Sequence, residues 1–350
     1  MNRRRYLLAA AGVALANVTL AWPGVSLAQG AGREASILGW RGRIQRILDR
    51  QRLPLIDIEA TYVAGRTNIA YLIERMDALD VAQIAFAPAN AANSQSALDL
   101  HRDYPEYFIP TSNSGEFPRW WNDPQAFLSG VRKELQSGRY FLMGEHEFRH
   151  YPSPEQVAAG QTFRDITIAL DGPAGHSLFQ LSEDTGVAFQ LHYEIEDRLL
   201  PVLESMLARY PKARLIWCHA GMVRYGQRAT GYSPDYVRAL IERYPGLHWD
   251  LAVPAPEHIY QPSGERDSTL FREGRLDPRW QALLEQHADR FLAASDYRPP
   301  VEQEYTRNIQ RLRSLILDAL SERSRHQIAY GNAWRLVTGE PWRAVPAIQS

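Results

Sequence analysis

Five short segments carry the acidic and imidazole side chains best placed to do chemistry. They are Asp57-Ile58-Glu59-Ala60-Thr61, Gly144-Glu145-His146-Glu147, Gln190-Leu191-His192-Tyr193-Glu194, His219-Ala220-Gly221 and Ala294-Ser295-Asp296-Tyr297. Each lies at the carboxyl end of a short apolar run, as His219 does after Leu215-Ile216-Trp217, and such runs read as strands buried on both faces. Carboxylates gathered in one place repel, and their pKa values rise unless a cation neutralises them. Imidazole nitrogen and carboxylate oxygen together suit Zn²⁺ or Mn²⁺, with a position left open for water or substrate. An ion so held lowers the pKa of its water or polarises a substrate oxygen. One such histidine alone would read as a core side chain; several strand ends of the same kind read as a site.

The elements that must position these groups follow a regular beat. Apolar runs fall at 55–61, 81–87, 107–110, 140–148, 187–192, 215–219, 247–251 and 290–294, each followed by a helical pattern. Strand alternating with helix implies a parallel sheet. Eight repeats in about 300 residues predict a (β/α)₈ TIM barrel, whose active sites sit at the carboxyl ends of the strands. No Gly-x-Gly-x-x-Gly follows the first run, so the dinucleotide-binding fingerprint is missing. No boundary interrupts 37–340, which reads as one domain. The Pro- and Gly-rich segment Pro254–Gly274 after the seventh strand reads as a lid or a solvated loop, and its His258, outside the five segments, could reach the site from there.

With 350 residues, 45% of them apolar, the chain can bury a barrel-sized core. The net charge of −1 and the scattered basic residues give no nucleic-acid or anionic-membrane footprint. The one cysteine, Cys218, cannot form an internal disulfide and reads as a small core side chain.

Residues 1–28 form a separate object. Arg3-Arg4-Arg5, an apolar stretch from Tyr6 to Trp22 and Ser26-Leu27-Ala28 make a signal-peptide pattern. The paired arginines followed by Tyr6-Leu7-Leu8 have the twin-arginine form, which exports folded proteins. The expected location is therefore periplasmic or secreted, with residues 29–36 a flexible leader. The expected partners are a small-molecule substrate and, with the oligomeric state left open, a second copy in a homodimer, with no nucleic acid and no stable membrane anchor after cleavage.

Four stretches carry a family resemblance. Leu55-Ile56-Asp57-Ile58-Glu59-Ala60-Thr61, Trp217-Cys218-His219-Ala220-Gly221, Arg290-Phe291-Leu292-Ala293-Ala294-Ser295-Asp296-Tyr297 and Ile328-Ala329-Tyr330-Gly331-Asn332-Ala333-Trp334-Arg335-Leu336 resemble, in order and spacing, motifs of the amidohydrolase superfamily in its amidohydrolase-related (amidohydrolase 2) branch. Glu59 and Thr61 stand where that branch has two histidines. Benzoate-type decarboxylases of the superfamily also have a Glu at the first position. The resemblance implies Glu59, His192 and Asp296 as ligands of one divalent ion, Zn or Mn. A Gly-Glu pair in nucleases of the same superfamily resembles Gly144-Glu145, and makes Glu145 a ligand that would bridge to a second ion, with Glu147 its fallback. It also implies Asp296 as general base and His219 as the group touching substrate or moving a proton. Arg149, His146 and Glu194 are the candidate substrate contacts, with His150 beside them.

The expected function is an exported, metal-dependent hydrolase of an ester, lactone or amide. The alternatives are a non-oxidative decarboxylase of a hydroxylated aromatic acid and, with both strand-one histidines gone, a metal-free binding barrel.

Overall fold

The computed structural model describes residues 27–89, 91, 93–112 and 119–343. The expected signal segment lies almost wholly outside them. Eight strands, β1 (Leu55–Tyr62), β2 (Val81–Pro88), β3 (Phe108–Ser112), β4 (Leu142–His150), β5 (Ala188–Tyr193), β6 (Leu215–Trp217), β7 (Leu247–Asp250) and β8 (Phe291–Leu292), pair in parallel in chain order. The ring closes between its first and last members. Ile58 N–H donates to Ala293 O at 3.0 Å, Asp296 N–H to Glu59 O at 3.2 Å and Thr61 N–H to Tyr297 O at 2.8 Å. Asp57 completes the seam by accepting from Ser295 N–H at 2.9 Å and from its hydroxyl at 2.6 Å. This is the (β/α)₈ barrel that the alternation of runs predicts.

The strands read as continuous apolar runs because both faces are covered. Inside, side chains fill the barrel, and Gln190 reaches across from β5 to Ile58 O on β1 at 2.6 Å. Outside lie helices such as α2 (Ile69–Ala78), which buries Leu72 and Met76, and, between β7 and β8, a helix that buries Trp280, Leu283 and Leu284. Among the described residues, no helix is long and apolar enough to cross a membrane.

Two features depart from the sequence reading. The stretch 29–36, expected as a flexible leader, lies in the first helix, α1 (Leu27–Asp49). Docking outweighs its low propensity. Arg33 donates to Val337 O at 2.9 Å and lies 3.9 Å above the Phe141 ring, while Trp40, Ile44 and Ile47 are buried. The segment after β7 is also not a bare loop. It forms two short antiparallel ribbons, Ile259–Tyr260 with Glu265–Arg266 and Phe271–Arg272 with Arg275–Leu276. This flap is fastened to the loop after β6 by Val223 N–H on Asp267 O and Thr269 N–H on Gly221 O, both 2.8 Å.

Candidate metal centre

Irregularities in the ladder aim the acids. The β1–β2 register shifts between Asp57 and Ala60, and the β4–β5 register between Met143 and His146, so Glu59 and Glu145 each sit at a break in pairing. Such breaks re-aim side chains at barrel rims. Just past β6 and β8, His219 and Asp296 take left-handed backbone, with φ of +66° and +49°. Non-glycine residues adopt this region at a cost, and such residues cluster at working sites.

These turns bring five side chains together. His192 Nδ1 lies 2.7 Å from Glu145 Oε1, and His219 Nε2 lies 3.4 Å from the same oxygen. His219 Nε2 is 3.9 Å from Asp296 Oδ2, and its Nδ1 is 3.9 Å from Glu59 Oε2. The donor atoms fall into two groups sharing His219: Glu145, His192 and His219, and Glu59, His219 and Asp296. Glu59, Glu145, His192 and His219 are buried, whereas the Asp296 side chain is 37% exposed and faces the mouth.

The residues fit a divalent ion. Bonds of about 2.1 Å in a tetrahedral shell place neighbouring ligand atoms about 3.4 Å apart, close to the separations around His219. Glu59 Oε2 and both ring nitrogens of His219 are buried with no hydrogen-bond partner among the described residues. Buried polar atoms are normally satisfied, so orphans that face one another point to a missing partner. Burial, with Asp296 and Glu145 nearby, pushes the Glu59 carboxyl well above its ordinary value. Burial also opposes charge on Glu145, but His192 and His219 outweigh it and hold that carboxyl well below the usual range. Burial lowers His219 while Asp250, Asp296 and Glu145 raise it further, leaving it well above an ordinary imidazole. A cluster of three acids and two imidazoles that shifts its own protons this far is one a cation would relax.

The other expected residues make the following contacts. His146 packs against Trp120 and Phe127, both its nitrogens without a hydrogen-bond partner among the described residues, and burial lowers its pKa to about 3. Glu147, the fallback ligand, pairs with Arg164 at 2.5 Å. Arg149 is held by Glu196 at 2.8 Å, by Asp165 and by the carbonyls of His150 and Ile166, so it props the loop after β4. His150 Nδ1–H donates to Arg164 O at 2.8 Å, and its ring lies 4.8 Å from that of His192. Glu194 stands 3.2 Å from His192 Nε2 and 2.6 Å from Arg224. Cys218 is buried, its thiol pushed well above its ordinary value by burial and by Asp250, Glu145 and Glu59.

Three residues of the site escaped the sequence reading. Asp250 ends β7 as the other acids end their strands, a position that was open to the same argument. Arg298 bridges Glu145 Oε2 at 3.0 Å and Asp296 Oδ1 at 3.2 Å, leaving the opposite oxygens toward His219. Arg224 lies five residues beyond His219, and an arginine in a loop carries no periodicity to find it by.

The family model described as amidohydrolase matches residues 63–338. The chain belongs to the amidohydrolase family. Membership supports a hydrolytic enzyme and agrees with the resemblance of the strand-end motifs. Among solved structures, a probable 2-pyrone-4,6-dicarboxylic acid hydrolase from Acinetobacter baumannii with citric acid bound shares 13% identity over 82% of this chain and 99% of its own, with a TM-score of 0.50. Amidohydrolase 2 from Bifidobacterium longum subsp. infantis shares 13% identity over 81% of this chain and 98% of its own, with a TM-score of 0.44. At these identities the first likeness speaks for the fold alone. No curated protein matches the chain in sequence.

Proposed function

We propose that this amidohydrolase is a metal-dependent hydrolase of an ester, lactone or amide of a small molecule. The observation that carries the reading is the buried group of Glu59, Glu145, His192, His219 and Asp296, whose orphaned atoms converge at ligand-like separations. Glu145, His192 and His219, or Glu59, His219 and Asp296, would hold one Zn or Mn ion. When bound, that ion supplies Lewis acidity and a lowered water pKa.

The chain's own groups do the rest. Asp296, alone in the cluster in facing the open mouth, takes the proton of the attacking water. Arg298, at 3.2 Å, keeps the Asp296 carboxylate turned toward His219. His219, common to both donor groups, would be turned toward the ion by Asp250, 3.5 Å from its Nδ1. Glu194, held by Arg224 and by Tyr151 N–H at 3.1 Å, anchors the far side of His192. Export through the twin-arginine-like segment to the periplasm belongs to the same proposal, because metal loading before export favours a folded route.

The test is metal content of the purified protein, beside Glu59→Ala and His192→Ala variants, followed by screening of esters and lactones against hydroxybenzoates. One equivalent of Zn or Mn that the variants lose, with acid released from an ester or lactone, supports the reading. Carbon dioxide released from a hydroxybenzoate would replace it with decarboxylation. A folded protein that takes up no metal would overturn both and leave a binding barrel.

A further inference from the structure

One histidine outside the cluster has the surroundings of a proton-transfer group. His258 sits on the flap, its side chain 40% exposed, and its Nδ1 lies 2.9 Å from both carboxylate oxygens of Asp267, whose side chain is 3% exposed. A buried carboxylate that accepts from Nδ1–H fixes the tautomer and ring orientation and leaves Nε2 to act. His258 Nε2 makes no hydrogen bond among the described residues.

Contacts place this pair at the rim of the site. Asp267 O receives Val223 N–H at 2.8 Å, four residues beyond His219. The next residue, Arg224, donates to Glu194 at 2.6 Å, and Glu194 lies 3.2 Å from His192. Tyr260, two residues beyond His258, packs its ring 5.5 Å from the Arg224 guanidinium and donates to Pro152 O at 2.8 Å, tying the flap to the loop after β4. The dyad therefore belongs to a flap that is fastened to the loops following β4 and β6.

We propose that His258, oriented by Asp267, is a catalytic residue that protonates the leaving group of the substrate. The proposal rests on the hydrolytic reading. After water adds to the carbonyl carbon, the bond from that carbon to the leaving oxygen breaks and its electron pair goes to the leaving oxygen. Nε2–H of the His258 imidazolium gives that oxygen its proton, so the products are a carboxylic acid and an alcohol. The proton lost by the water at Asp296 passes to solvent, from which His258 is recharged. Asp296 and His258 thus divide the roles of base and acid.

The experiment compares 4-nitrophenyl butyrate, whose leaving oxygen needs no proton, with ethyl butyrate, whose leaving oxygen does. Metal-loaded wild type, His258→Gln and Asp267→Asn proteins are assayed, with melting curves as the folding control. We expect His258→Gln to lower kcat on the ethyl ester by about 100-fold or more and to leave the nitrophenyl ester nearly unchanged. Asp267→Asn shows the same selectivity, and His258→Gln, at a half-exposed position, carries the test where the buried substitution does not fold. Equal slowing of both esters, or slowing of neither, overturns the proposal and leaves the pair as a fastener of the flap. A metal-loaded wild type that releases acid from neither ester, nor from any lactone or amide in the screen, overturns the hydrolytic reading itself.

Discussion

The main-chain N–H of His219 donates to Asp250 Oδ1 at 3.0 Å, and the ring Nδ1 of His219 lies 3.5 Å from the same oxygen. One carboxylate therefore fixes both the left-handed backbone and the imidazole of a central residue of the cluster. Asp250→Ala leaves two buried amides, those of His219 and Ala252, without this acceptor, at a cost of about 1–3 kcal/mol each in urea unfolding. Loss of an orienting partner also lowers metal affinity by about 10–100-fold. Asp250→Asn keeps an oxygen for the amides and recovers the stability. It does not recover the affinity, because the charge facing the ring is gone. Unfolding curves and metal titration on the two variants separate the roles.

Glu59 makes the opposite case, a group that harms the empty fold. Its carboxyl is crowded by Asp296 and Glu145 in a buried place, His219 offsets this only in part, and a cation would relieve it. Without metal, Glu59→Gln melts above wild type. With excess Zn or Mn the order reverses, because wild type gains about 2.7 kcal/mol at ligand 100-fold above its dissociation constant and the variant gains little. Calorimetry with and without chelator checks both halves. Equal gains in the two proteins would remove Glu59 from the ligand set.

His248 links stability to pH away from the site. It is buried on β7, and burial, with Arg290, Arg335 and Arg214 nearby, lowers its pKa to about 3 from an ordinary 6.5. Between these values the unfolded chain binds a proton that the folded chain refuses. Stability is therefore full above pH 6.5 and falls as the pH drops toward 3. At pH 4.5 this share of the loss is about 2–3 kcal/mol. Urea unfolding at pH 7 and 4.5 checks it: the loss in His248→Gln is smaller than in wild type by that amount. A slope remains, because His146 is lowered in the same way.

The barrel was legible because both faces of its strands are buried, which turns each into an apolar run visible in one dimension. Glu59, His192, His219 and Asp296 were legible as polar residues ending such runs, and the structure gathers all four with Glu145. His146 was not separable from Glu145, its neighbour on β4, because the irregular ladder there, rather than simple alternation, decides which side chain faces the mouth. Arg149 and Glu194 show a second limit: a charged strand end serves equally to hold a loop or to meet a substrate, and only the partners distinguish them. Arg224 and Arg298 come from loops, where no period marks a residue. The helix over 29–36 was hidden because its order comes from Val337 and Phe141, far along the chain.

Gly221 ties the flap to the site. Its φ of +70° suits glycine, and its N–H donates to the Tyr232 hydroxyl at 3.1 Å. A methyl group placed there would lie 2.0 Å from Leu270 Cδ1 and 2.9 Å from Thr269 Oγ1, both on the segment that descends from the flap. Gly221→Ala must therefore push Leu270 away or twist the loop that follows His219. We expect a loss of about 1–3 kcal/mol from overpacking, and faster proteolysis within 254–274 in the native protein. The two causes separate in a double-mutant cycle. Leu270→Ala removes the colliding atom, so the double variant recovers the steric part of the loss while the cost of the left-handed backbone remains. If the two substitutions add without coupling, the flap is not seated on Gly221, and the support for His258 over the site is withdrawn with it.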